Sequence, residues 1–342
     1  MPIKNGEPFL EEAFDALSKQ DQFEGNLEIS VYDDGSTDAT PEIIKKWSDK
    51  FKEMGIRFVS ERGKESNGAG YSKNMCVKNC TGKYLLFNDC DDISKPSRLS
   101  TQFNFLNSQD EPDKLLVGSG FERSPVDSTA RYTRWSNNLD KEQLTRQIFT
   151  SHGPTIIAPT WFMTKRLFED IGGFEGSIKV GFPEDLHFFY KVIRKGISIC
   201  KIPETLVVYR YHENCTTFKV LENTIWQMRV DELCATVLNN LSQFSIWSVG
   251  KQGKRFFRSL PDTEKAKVKA FCDVDIKKLK RPFFEMYDDK IRKVTYRIPI
   301  VSVCDIKPPV IVCVKLDMTD QVLEKSIDDK KWTEGFHFIH FN

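Results

Sequence analysis

At 342 residues, 39% hydrophobic and 12% aromatic, the chain has apolar material for one large domain and a smaller one. Its formal net charge of +1 excludes a partner recruited by bulk charge alone, whether nucleic acid or anionic membrane. No stretch approaches the ~18 apolar residues of a membrane span. The start, Met1-Pro2-Ile3-Lys4-Asn5, does not read as a signal peptide. Nine cysteines without a Cys-x-x-Cys pair read as reduced thiols. A cytoplasmic protein without a membrane partner is the expectation. On that expectation the Asn-x-Ser/Thr triplets at Asn79, Asn214 and Asn240 are chance matches.

Helix and strand patterns alternate through the first half. Residues 7–20 place Phe9, Leu10, Phe14 and Leu17 at helical spacing, with Pro8 in the first turn. Residues 27–32 read as a strand. Thr40-Pro41-Glu42 opens a helix whose Ile43, Ile44, Trp47 and Phe51 share a face. A strand at 56–60, a helix at 70–79, a strand at 83–87 and a helix at 96–107 follow. This rhythm predicts an α/β fold with parallel strands and covering helices.

The middle is less regular. Residues 123–138 read as a polar loop, 141–149 as a helix and 156–163 as a strand. A short helix stops at Gly172-Gly173. Residues 184–195 form an amphipathic helix, 207–211 a strand and 220–241 a long helix. A second alternation begins at 245. It comprises a strand at 245–249, the turn Gly250-Lys251-Gln252-Gly253, a helix at 254–260, and strands at 268–273 and 310–316. It predicts a smaller Rossmann-like module, so the domains are expected at 1–242 and 243–342. Residues 251–315 hold 17 Lys and Arg against 8 Asp and Glu, a difference of 17 − 8 = +9. Phe256, Phe257, Phe283 and Phe284 lie in this basic stretch and are candidates to meet phosphates and bases.

The strongest chemical signal is Tyr84-Leu85-Leu86-Phe87-Asn88-Asp89-Cys90-Asp91-Asp92. An apolar strand ends in three carboxylates, where open α/β sheets bind ligands. Such crowding calls for a cation, and Mg²⁺ or Mn²⁺ bridged to phosphate oxygens is the natural guest. Asp33-Asp34-Gly35-Ser36-Thr37-Asp38 is a second acidic strand end, suited to a base N–H or a ribose hydroxyl. Asn67-Gly68-Ala69-Gly70 opens a helix and offers backbone N–H groups to phosphate, with Lys73 as an added cation. Pro183-Glu184-Asp185 starts another helix, where a carboxylate is a candidate general base. His212, after a strand, is a candidate to complete a metal shell.

In combination and in order, these motifs resemble family 2 glycosyltransferases of the GT-A fold. The resemblance implies a nucleotide-sugar-binding mixed sheet with covering helices. It implies Asp33 and Asp34 at uracil and ribose, with Pro2 and Lys73 also on the donor. It further implies Asp89 at ribose, Asp91 on a Mn²⁺ or Mg²⁺ ion, and Asp185 as the base of an inverting transfer. Pro2-Ile3-Lys4-Asn5 matches only the end of the family's first strand, so that strand is expected to be truncated here.

A closer resemblance lies in Arg131-Tyr132-Thr133-Arg134-Trp135, residues 154–162 and 183–190, Trp247-Ser248-Val249-Gly250-Lys251 and residues 270–275. These look like an animal subfamily, named β-1,3-N-acetylglucosaminyltransferase-like and assigned as queuosine-tRNA galactosyltransferases. It implies galactose transfer from UDP-galactose to queuosine-modified tRNA-Tyr. The alternatives are transfer from UDP-N-acetylglucosamine to a glycan or protein, and a non-catalytic nucleotide-sugar-binding protein.

Overall fold

A computed structural model describes residues 1–150, 153–316 and 318–342. The chain divides into two compact units, one of residues 1–145 and 153–224, the other of residues 146–152 and 225–342.

The first unit holds two sheets. In the smaller, β1 (Pro2–Ile3), β2 (Glu28–Asp33) and β3 (Arg57–Arg62) run parallel in that order. Ile29 and Val31 of β2 point into a core shared with Leu10, Phe14 and Leu17 of the helix Leu10–Ser18. Ile44, Trp47 and Phe51 of the helix Thr40–Glu53 complete it. The i, i+3, i+4 spacing of these apolar residues makes each helix amphipathic, and burial of that face holds it. β1 is two residues long. A cavity of about 310 Å³ lies between β2 and the 83–88 segment, lined by Met1, Leu27, Ile29, Tyr84, Leu86 and Phe162, among others.

The second sheet is mixed. Its order is β4 (Tyr84–Leu86), β7 (Phe162–Thr164), β6 (Leu115–Ser124), β8 (Ser198–Arg210), β5 (Ile93–Ser94). β6 and β8 are parallel, and the other three pairings are antiparallel. Four expectations change here, the first being the strand at 156–163, where Ala158–Thr160 is a 3-10 turn and only Phe162–Thr164 is strand. β6 fell outside the expected elements; residues 115–121 are buried without alternation, as in a strand covered on both faces. The polar stretch 123–138 is a loop only in part, because Ala130–Asn138 is a helix. Residues 141–149 shrink to the four-residue helix Gln143–Arg146.

The second unit orders its strands β11 (Phe283–Asp288), β12 (Lys293–Ser302), β10 (Val268–Asp273), β9 (Phe244–Trp247), β13 (Val310–Val312), β14 (Phe338–His340). The five strands from β12 to β14 are parallel, and β11 returns antiparallel on the edge. Counting the parallel strands in chain order gives 3-2-1-4-5, a Rossmann-like arrangement with β9 at the centre. The division between units falls at Thr224 and Ile225, not at 242. Buried Arg229, in the helix Glu222–Thr236, donates to the carbonyls of Phe149 and Asn342, so most of that helix belongs with the second unit. Phe256, Phe257 and Phe284 are core residues stacked among Phe271, Phe341 and Tyr296, which removes them from any nucleic-acid surface. Only Phe283 of the four is exposed, under the Arg297 guanidinium. Among the described residues no helix is long and apolar enough to cross a membrane.

Candidate active site

The acidic turn after β4 is held by a buried cation. Arg98 is fully buried at the start of the helix Arg98–Asn107. Its guanidinium donates to Phe87 O at 2.8 Å, Asn88 Oδ1 at 3.1 Å, Ser94 Oγ at 2.9 Å and Gln102 Oε1 at 3.1 Å. Asp92 is also fully buried, and its Oδ1 accepts from Arg210 N at 3.0 Å. Burial, Asp91 and Asp89 push the Asp92 carboxyl well above its usual range, while Arg98 pulls it down. Burial lowers Arg98 to about 9, against the pull of Asp92 and Asp89.

Asp91 points the other way. Its Oδ2 lies 2.9 Å from His212 Nε2, so the predicted metal residues do meet. His212 follows β8, and its ring packs on Phe9 at 4.4 Å between centroids. Burial and Asp89 raise the Asp91 carboxyl, and His212 lowers it. A carboxylate and an imidazole on one point suit a divalent cation.

Lys73 joins the remaining acids. It is buried on the helix Ala69–Asn79, with Nζ 2.8 Å from Glu184 Oε1 and 4.0 Å from Asp89 Oδ1. Glu184, Asp89 and Asp185 hold it protonated in spite of burial. Asp185 sits in the first turn of the helix Glu184–Arg194, with Leu186 N donating to its Oδ1 at 2.7 Å. Burial and the Glu184 charge push its carboxyl up to about 6, while Lys73 opposes them.

The first acidic strand end is tied up within the protein. Asp33 Oδ1 accepts from Ser36 N at 2.8 Å, and Arg62 Nε lies 3.1 Å from its Oδ2. Asp34 accepts from Asn67 N at 2.7 Å, Gly68 N at 3.0 Å and Ser66 Oγ at 2.6 Å. The N–H groups of Asn67 and Gly68 are therefore given to Asp34, which corrects their reading as phosphate donors. The glycines serve close packing. Gly68 has φ +94°, and a Cβ there would meet Lys179 O at 2.4 Å; one on Gly70 would meet Glu175 O at 2.1 Å. Pro2 pairs with Tyr32 beside this strand end. Arg98, which sequence reasoning passed over, now matters, and so does Glu184, read there only as part of a helix start and here the partner of Lys73 across 111 positions. Neither carries a local signal, since each acts through residues distant in sequence or in an adjoining turn.

A family model described as glycosyl transferase family 2 matches residues 1–172. The chain belongs to this family. An uncharacterized glycosyltransferase of Rickettsia prowazekii (strain Madrid E) is 32% identical over 223 residues, 64% of this chain and 64% of the relative. A poly(ribitol-phosphate) beta-glucosyltransferase of Bacillus spizizenii is 24% identical over 265 residues, 72% of this chain and 40% of the relative. The chain thus spans about two thirds or less of the length of these family 2 relatives. The Staphylococcus aureus TarS fragment 1–349, solved with UDP-GlcNAc, superposes with a TM-score of 0.52 at 17% identity, covering 78% of this chain and 82% of that one. The likeness establishes the GT-A type of fold.

Two outcomes test this geometry. Arg98→Met leaves Phe87 O, Asn88 Oδ1 and Ser94 Oγ without their buried donor and, at about 1–3 kcal/mol for each unsatisfied group, is expected to cost about 3–5 kcal/mol in urea unfolding. A loss under about 1 kcal/mol would show that Arg98 does not hold the turn. Gly70→Ala, normally favourable in a helix, is expected to destabilise by on the order of 2 kcal/mol because backbone must move; an unchanged melting temperature would contradict the close approach.

Proposed function

We propose that this family 2 chain is an inverting, metal-dependent hexosyltransferase that uses a UDP-sugar. Asp185 carries the reading. A half-buried carboxyl poised at about 6, in the Lys73–Glu184–Asp89 charge cluster, has the affinity a general base needs near neutral pH. In the proposed reaction an acceptor hydroxyl attacks the anomeric carbon, its proton passes to Asp185, and UDP leaves from the opposite face. Asp91 and His212 fit a Mn²⁺ or Mg²⁺ ion, which when bound offsets charge on the leaving diphosphate. Asp89, positioned by Lys73, meets the ribose. Asp33, Asp34 and Pro2 form the nucleoside end, with Asp34 acting through the 66–68 loop it orders.

The finer reading is transfer of galactose from UDP-galactose to the cyclopentene-diol hydroxyl of queuosine at the wobble position of cytoplasmic tRNA-Tyr. Motif resemblance along nearly the whole chain supports it, as does the +9 balance over residues 251–315. A second reading, UDP-N-acetylglucosamine as donor, is favoured by 31% identity over 136 residues to a Staphylococcus aureus poly(ribitol-phosphate) beta-N-acetylglucosaminyltransferase. That stretch covers 38% of this chain and 23% of the relative. A panel of UDP-sugars read by thermal shift separates the donors.

Asp185→Asn is expected to lower transfer by about 10²–10⁴-fold with circular dichroism unchanged. In the wild type, a raised Asp185 carries a proton at low pH and cannot accept another. Activity should therefore fall as pH drops through about 6. A variant as active as wild type removes Asp185 from the mechanism. For the acceptor, labelled UDP-galactose is offered with purified queuosine-containing tRNA-Tyr. Affinity should fall roughly 10³-fold between about 50 and 200 mM salt if about six phosphates are met. A flat salt series, or label transferred only without tRNA, would sink the tRNA reading.

A further inference from the structure

The Asp91–His212 pair has a third neighbour. Cys215 lies three residues beyond His212, in the turn between β8 and the 3-10 helix Thr216–Lys219. One donor atom each of Asp91, His212 and Cys215 lie within 4.8 Å of one another. The turn ties Cys215 to the His212 backbone. His212 N donates to Cys215 Sγ at 3.3 Å, and Cys215 N donates to His212 O at 3.0 Å. Cys215 is 7% exposed and forms no disulfide. Beside it, His212 Nδ1 is buried with no hydrogen-bond partner, so only Nε2 of that ring is engaged, with Asp91.

We propose that Cys215 is the third protein ligand of the cation held by Asp91 and His212, making the site an oxygen–nitrogen–sulfur centre that selects Mn²⁺, Co²⁺ or Zn²⁺ over Mg²⁺. This rests on the reading of Asp91 and His212 as a cation site and goes beyond it in ligand and metal class. Mg²⁺ binds oxygen in near-ideal octahedral shells and gains little from a thiolate. A soft sulfur beside an imidazole suits the later divalent ions. Three protein ligands with further positions open is also the pattern of catalytic rather than structural sites. Ligation replaces the Sγ–H bond with an Sγ–metal bond and releases one proton to solvent. Cys215 Sγ also donates to Arg210 O at 3.8 Å, a contact that ligation would replace.

The test is Co²⁺ titrated into the full chain and followed by near-ultraviolet absorption. A thiolate-to-cobalt charge-transfer band is expected, and millimolar Mg²⁺ should not displace it. Cys215→Ser should lose the band and bind Co²⁺ at least about tenfold more weakly, a loss typical even of groups one shell further from a metal. His212→Ala should also lose the band. That ties the signal to this thiol among nine and serves if the Cys215 variant does not fold. Co²⁺ binding without the band overturns the role of Cys215 and leaves the Asp91–His212 site standing. A band that survives both variants also overturns it. No Co²⁺ binding by the wild type, with or without UDP, overturns both readings.

Discussion

Three carboxylates within four residues at the end of a buried strand repel one another, and burial magnifies the repulsion. The first unit is arranged around that constraint. Arg98 is fully buried behind the turn and binds its backbone and side chains at three points. Lys73 reaches Asp89 from the helix Ala69–Asn79, and the end of β8 supplies Arg210 N to Asp92 and His212 to Asp91. Each carboxylate thus has its own counterpart, two of them from the end of β8. Asp92 is locked inside, Asp89 faces a lysine, and Asp91 is left with an imidazole and a thiol.

The parts of this that local sequence could reveal were those set by periodicity. The helices around Phe14, Trp47 and Leu186 and the strand ending at Asp273 follow from the spacing of their apolar residues. β6 did not, because a strand covered on both faces has no alternation and its Gly118 and Gly120 imitate a loop. The helix Ala130–Asn138 buries only Ser136, so it has no apolar stripe to read. The basic character of residues 251–315 was visible, but which phenylalanines lie beneath it depended on the β9-centred sheet that closes over Phe256 and Phe257.

The same limit applies to the site. Acidic residues at strand and helix ends could be picked out from composition and position. Their partners could not. Asp34 looked available to a ligand until the 66–68 loop took both its oxygens, and Lys73 looked like a phosphate cation until Glu184 took its charge. The glycines of that loop are explained by the 175–179 segment packed against them, a contact across more than a hundred residues.

That pairing of Lys73 with Glu184 decides what Asp185 can be. Were Lys73 committed to Asp185, the ion pair would hold the carboxyl low and make it a poor base. Instead the contact at 2.8 Å belongs to Glu184, and Asp185 feels the ammonium only at longer range. Burial and the adjacent Glu184 charge then outweigh Lys73, moving the carboxyl from 3.8 to about 6. That is about 3 kcal/mol of added proton affinity. Two neighbouring acids at one helix start are thereby set apart: Glu184 is paired with Lys73, and Asp185, with its raised carboxyl, suits the base proposed above, the division that paired carboxylates use when acid–base work is done near neutral pH.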